Sequence, residues 1–301
     1  MDHKLKRRFR RFKRRTLMAG EMGLWALGRV GLSPVAMLDT ASRIKGDRDV
    51  ECLGRGIPYG DDDRQRLDLW APRDRGDAPL PVVIFFYGGG WVVGERGEFG
   101  YVGRALAQRG FLTVIPDYRL APHARFPDFI LDGAAALKWT SEHIATFGGD
   151  PSKIAIAGHS AGGHLAALLA LDERYLEGEG LDPTIIKAAV LMSTPTDFAP
   201  FIDPRAIAAL GHHDPVDETQ PIHFAHGKGP PILLQTGTAD ITVRARNSQQ
   251  LARAIEAEGG DVTLKLYRGA THSDPVKAFS PLFNAYPIVE NLVDWLNDKL
   301  A

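Results

Sequence analysis

Gly158-His159-Ser160-Ala161-Gly162 follows directly on the apolar run Lys153-Ile154-Ala155-Ile156-Ala157 and sets a serine between glycines where a strand turns sharply into a helix. A G-x-S-x-G turn of this kind is a nucleophile elbow. It lifts the serine hydroxyl out of the sheet, and a side chain two positions to either side would crowd the strand-helix junction. Context strengthens the reading. β-Branched residues precede the turn, and Ala161-Gly162-Gly163-His164-Leu165-Ala166-Ala167-Leu168-Leu169-Ala170 reads as a small-residue helix able to pack closely on a sheet.

Upstream, Pro81-Val82-Val83-Ile84-Phe85-Phe86-Tyr87 reads as a buried strand that ends in Gly88-Gly89-Gly90-Trp91. Acyl transfer builds negative charge on a carbonyl oxygen, and backbone N–H groups reach such an oxygen only where no side chain intervenes. Losing one donor of this type typically costs about 10²- to 10³-fold in rate. The amides of Gly89 and Gly90, with that of Ala161 after the serine, are therefore the expected oxyanion hole.

With both motifs placed, the chain resembles the α/β-hydrolase superfamily, and within it the bacterial carboxylesterases similar to hormone-sensitive lipase. Asp117-Tyr118-Arg119-Leu120-Ala121-Pro122 resembles that family's D-Y-R-L-A-P segment, and the resemblance runs from about Glu51 to the C-terminus. One departure is visible. Where the family writes H-G-G-G, this chain has Tyr87 before its glycines.

The resemblance implies a triad ordered Ser, acid, His along the chain. Of the ten histidines only His272 lies beyond residue 226, in a loop after the alternating strand Val262 to Tyr267. The acid is expected after the strand Pro231 to Gly237, at Asp240. Asp197, after the strand Ala188 to Ser193, is the competitor. His159 and His164 flank the serine, and the helix is expected to point them away from the chemistry. His159 is nevertheless a candidate lining residue of a substrate pocket, with Trp91, Phe198 and Phe201. His212-His213-Asp214 reads as a polar loop, since zinc wants three or four convergent ligands and no such cluster is visible.

The 301 residues, 44% hydrophobic and 24% charged, suit an ordinary globular protein with one large core. Helical patterns over Arg96 to Arg109, Asp128 to Thr146, Ala161 to Leu171, Arg244 to Glu258 and Pro287 to Leu300 alternate with the strands. That alternation predicts an α/β fold with a mostly parallel, doubly wound sheet flanked by helices. Residues 198–228, rich in Pro, His and Asp, read as a short cap within a catalytic domain over 46–301. The single cysteine, Cys52, excludes an internal disulfide.

Residues 1–45 differ from the rest. Nine of the first fifteen residues are basic against one acid, which leaves 27 basic and 36 acidic residues in the body. Leu17 to Leu38 is apolar but interrupted by Glu21, Arg29 and Pro34, an amphipathic pattern and not a spanning one. Residues 4–15 are thus expected either to meet an anionic membrane surface or to pack beside the active-site mouth. Nucleic acid is not an expected partner, because the body is acidic and no aromatic platform interleaves the arm.

The function expected is cofactor-free hydrolysis of small to medium apolar carboxylic esters, by a cytoplasmic protein that is peripheral at most. Two other readings stay open. One is an amide hydrolase of the kynurenine formamidase type, whose elbow resembles G-H-S-A-G. The other is a non-catalytic binding protein on a hydrolase fold, although such receptors typically lose a triad member and here all three residues are present.

Overall fold

The structure, a computed structural model, describes Leu38, Asp39 and residues 49–283 and 285–301. The basic arm, residues 4–15 included, lies outside the described residues. Eight strands form one sheet: β1 (Val50–Pro58), β2 (Arg66–Pro72), β3 (Leu80–Phe86), β4 (Leu112–Pro116), β5 (Gly149–His159), β6 (Ile186–Met192), β7 (Ile232–Gly237) and β8 (Val262–Tyr267). Their order is β1-β2-β4-β3-β5-β6-β7-β8. β2 runs antiparallel to both β1 and β4, and every pairing from β4 across to β8 is parallel.

Central strands of a parallel sheet are covered on both faces and read as continuous apolar runs. Val82 to Phe86 and Ile154 to Ala157 are buried in this way, with Ile84 opposite Ile156 and Ile156 opposite Ala189. β8 lies at the edge, where exposed Lys265 discourages pairing with another chain.

Helices α1 (Gly100–Ala107), α2 (Asp128–His143), α3 (Ala161–Leu171), α5 (Arg246–Ala257) and α6 (Ile288–Lys299) pack on the sheet, and α4 (Pro204–Leu210) lies in the segment between β6 and β7. α3 is wholly buried and apolar except for His164, as suits a helix wedged between a sheet and α2. α5 is strongly one-sided, with Leu251, Ala252 and Ile255 inward against β7 and β8.

The site follows from the strand order. The chain passes from β3 out to β4, then returns to the other side of β3 as β5. A crevice opens beyond the carboxyl ends of parallel strands at such a switch point. The glycine loop after β3 and the serine after β5 meet there.

Residues 198–228 are ordered by three short helical segments, Pro204–Leu210, Val216–Thr219 and Pro221–Phe224. Asp203 caps the first by accepting from the Arg205 amide at 2.9 Å. The Phe126 amide donates to Ala209 at 2.9 Å and so ties this segment to the start of α2.

Candidate active site

Ser160 stands at φ 54° and ψ −118°, between β5 and α3. A non-glycine residue at positive φ is strained, and the surroundings hold it there. Its amide donates to Met192 at 2.9 Å, and its carbonyl accepts from His164 at 2.9 Å. A Cβ on Gly158 would lie 2.3 Å from the Gly162 carbonyl oxygen, and one on Gly162 would lie 2.2 Å from that of Phe86. The flanking glycines are thus required by backbone contact.

His272 Nε2 lies 3.0 Å from Ser160 Oγ, and its Nδ1 lies 2.8 Å from Asp240 Oδ2. Asp240 is buried. Its other oxygen accepts from the amides of Thr242 at 2.9 Å and Val243 at 2.8 Å, which fixes the carboxylate in the loop after β7. That loop is stitched to the histidine loop: the Ala239 amide donates to Ala270, the Thr238 amide to Tyr267, and the Gly269 amide to Thr238 Oγ1. Asp197 is elsewhere. Its amide, with that of Thr196, donates to Asn247 Oδ1 at 3.0 Å, and the imidazole bonds to Asp240 alone of the two.

Gly89 at φ 149° and Gly90 at φ 61° turn the loop after β3, and Trp91 follows at φ 62°. A Cβ on Gly89 would fall 1.9 Å from the Val93 carbonyl oxygen. Tyr87, the departure from the family pattern, anchors this loop. Its ring stacks between Phe99 and Tyr118, with centroids 4.9 Å from each. Its hydroxyl donates to Asp117 Oδ1 and accepts from Arg64 Nη2 at 2.9 Å, while Tyr118 donates back to the Tyr87 carbonyl at 2.8 Å. Arg96 also grips Asp117 through its guanidinium and its amide. Burial first, and the Asp117 charge second, push the Tyr87 phenol well above its ordinary range, so it stays a neutral donor. The D-Y-R-L-A-P segment is therefore the clamp on the glycine loop.

A cavity of about 500 Å³ opens over Ser160. Gly88 to Trp91, His159, Phe198, Arg205, Val243 and His272 are among its lining residues. Trp91 and Phe198 stack at 6.0 Å and 7° as an apolar wall. Phe201 is not in the lining; it backs Phe198 at 5.2 Å. The helix does not carry His159 away from the chemistry. His159 is the last residue of β5, and its Nε2 lies 2.9 Å from the His272 carbonyl oxygen. His164, one turn into α3, does point elsewhere, edge-on to Trp91 with Nε2 2.8 Å from the Thr219 carbonyl oxygen. His213 meets Glu218 and His212 meets the Phe126 carbonyl, and no cluster suited to a metal occurs among the described residues.

The family profile BD-FAE matches residues 67–255, more than half the chain and all of the elbow region. The chain belongs to the BD-FAE family. Relatives that the BD-FAE chain matches are esterases by name. Isoprenylcysteine alpha-carbonyl methylesterase ICME of Arabidopsis thaliana is 31% identical over 241 residues, 73% of this chain and 56% of that protein. Esterase LipC of Mycobacterium tuberculosis is 34% identical over 221 residues, 67% of this chain and 55% of that protein. This BD-FAE chain thus spans about half the length of the curated relatives it matches. Among solved structures, esterase B from Lactobacillus Rhamnosis superposes with a TM-score of 0.73 at 26% identity, covering 93% of this chain and 95% of that one. The α/β-hydrolase fold expected from the sequence is the fold observed. No helix among the described residues is long and apolar enough to cross a membrane.

Proposed function

We propose that the protein is a serine hydrolase that cleaves carboxylic esters of small to medium apolar substrates through an acyl-enzyme. The observation that carries this reading is the continuous chain Ser160 Oγ, His272, Asp240 at the floor of an apolar-walled cavity. His272 takes the Ser160 proton as the oxygen attacks the ester carbonyl. Asp240 orients the imidazole and stabilises the imidazolium. The Gly89, Gly90 and Ala161 amides receive the oxyanion, and the proton on His272 then passes to the departing alcohol. Water, deprotonated by His272, attacks the acyl carbon and frees Ser160. None of these steps calls on a cofactor.

The names of the relatives support ester over amide substrates, and one of them is a methylesterase. Trp91 and Phe198 supply the apolar surface for the substrate. The test is covalent and kinetic together. A fluorophosphonate is expected to add once per chain, at Ser160, and to abolish hydrolysis of a p-nitrophenyl ester series. Adducts at other residues only, or full activity in Ser160→Ala, would overturn the assignment. A formamide of an aromatic amine, run beside the esters, separates the amide reading.

The charge of residues 4–15 supports a second role, attraction to an anionic lipid surface. Each basic residue near such a surface contributes about 1 kcal/mol, and exposed charges are screened over about 8 Å at physiological salt. Cosedimentation with phosphatidylserine vesicles is expected to weaken as salt rises. Equal binding by a chain starting at Ile44 would remove this role.

A further inference from the structure

The residue between the first glycine and the serine of the elbow has no part in the mechanism above, yet its side chain is built into the site. His159 is 6% exposed and lies between two loops that arrive from distant parts of the chain. On one side its Nε2 is 2.9 Å from the His272 carbonyl oxygen. A carbonyl only accepts, so Nε2 carries the proton and donates. On the other side its Nδ1 is 2.9 Å from where a Cβ on Gly88 would sit, at the root of the glycine loop. The two imidazole rings stand 5.0 Å apart at 45°.

The titratable groups that face His159 are His272 and Lys277, from the loop and short helix after β8, and Asp240, from the loop after β7. Burial, and then the neighbouring His272, push the His159 imidazole down to about 3. It is therefore neutral wherever His272 works as a base. A second imidazolium beside the one formed during acyl transfer would oppose that step, and a neutral ring does not.

We propose that His159 is a positioning residue that holds the His272 loop in register with Ser160 through its Nε2–H bond to the His272 carbonyl. Ser160 and His272 come from strands three apart in the sheet, β5 and β8. The His159 bond crosses that gap directly, backbone to strand end. It spans 113 residues of sequence. The proposal rests on the serine hydrolase reading, in which His272 is the base.

Glutamine and asparagine separate positioning from mere polarity. A glutamine amide nitrogen reaches as far as imidazole Nε2, whereas that of asparagine reaches only as far as Nδ1. His159→Gln is expected to retain kcat within about threefold of the parent, while His159→Asn and His159→Leu lose about 10- to 10²-fold in kcat with KM little changed. A misplacement of about 1 Å at a reacting group costs on that order. Fluorophosphonate labelling of Ser160 is expected to slow by the same factor as kcat in each variant. The downfield proton of the His272 Nδ1–Asp240 bond, read by NMR without substrate, is expected to persist in the glutamine variant and to be exchange-broadened in the other two.

If all three variants keep the parental kcat and the downfield proton, His159 does not position His272. A loss confined to KM would make it a substrate contact instead, and would also overturn the proposal. Equal losses in the glutamine and asparagine variants would leave the Nε2–H bond without a role and count the same way. Should the leucine variant fail to fold, the glutamine and asparagine pair still decides. If the unmodified protein takes no label and cleaves no ester, the failure belongs to the serine hydrolase reading and not to His159.

Discussion

Gly237 and Ala270 meet backbone to backbone: a Cβ on Gly237 would lie 2.1 Å from the Ala270 carbonyl oxygen. Through this contact the end of β7, which leads into the loop of Asp240, and the loop that carries His272 hold one spacing. Gly237→Ala is therefore expected to cost about 1 to 3 kcal/mol of stability, the usual range for overpacking a tight site. It is also expected to lower kcat by up to about 10²-fold as the carboxylate and imidazole part. Gly178→Ala is the control, because an added Cβ there meets nothing within 4 Å. Urea midpoints and ester kinetics on both variants check the pair.

The two aspartates predict effects of different size. Asp240 bonds the imidazole, and an Asp-to-Asn change at that position of a triad typically lowers turnover by about 10⁴. Asp197 touches Asn247 through its amide alone, so Asp197→Asn is expected to cost about two orders of magnitude at most. Circular dichroism should show both folded. The reverse ranking would move the acid to the end of β6.

Tyr87 offers a test of how the glycine loop is held. Tyr87→Phe keeps the stacking on Phe99 and Tyr118 but leaves Asp117 and Arg64 short of a partner. An unsatisfied buried polar group costs about 1 to 3 kcal/mol. A lower urea midpoint is expected, with a drop in kcat if the glycine amides shift. A variant as stable as the parent would show that Arg96 and Arg64 secure Asp117 without the phenol.

His164 links stability to pH. Burial pushes it down to about 4, from an ordinary value of about 6.5. Between those values the unfolded chain binds a proton that the folded one does not. Stability is thus full above about 6.5 and falls as pH is lowered towards 4. His159, held down to about 3, adds a second loss of the same sign that continues further into acid. His164→Gln is expected to flatten the fall by close to one proton, as read from unfolding free energies at pH 7, 5.5 and 4.5. An unchanged slope would show that His164 does not carry the linkage.

Much of the fold was legible because its signals are local. The helix Ala161–Leu171 and the strand Val262–Tyr267 have the boundaries their residue patterns predict, and the strands ending at the glycine loop and at Gly237 begin within one residue of expectation. The antiparallel β1 and β2 were not anticipated. Their residues are only partly apolar in β1, and β2 buries Asp68 against Arg96 from another element, which masks the alternation. The D-Y-R-L-A-P segment was readable as a resemblance, but not as the clamp on Tyr87, which depends on Arg64, Tyr87 and Arg96 meeting Asp117 and Tyr118 from separate parts of the chain.

The sequence by itself determined the parallel α/β sheet, the strained serine, and a candidate base and acid, because an elbow, a glycine-ended strand and a histidine after the last strand are each written in contiguous residues. Only the tertiary structure put Asp240, and not Asp197, within hydrogen-bond distance of the His272 imidazole, set Phe201 behind Phe198, and turned His159 towards the His272 carbonyl. Those outcomes depend on which loops meet beyond the carboxyl ends of β3, β5, β7 and β8. Strand order in the sheet brings those ends together, and it arises from packing between segments far apart in the chain. No local pattern records that packing.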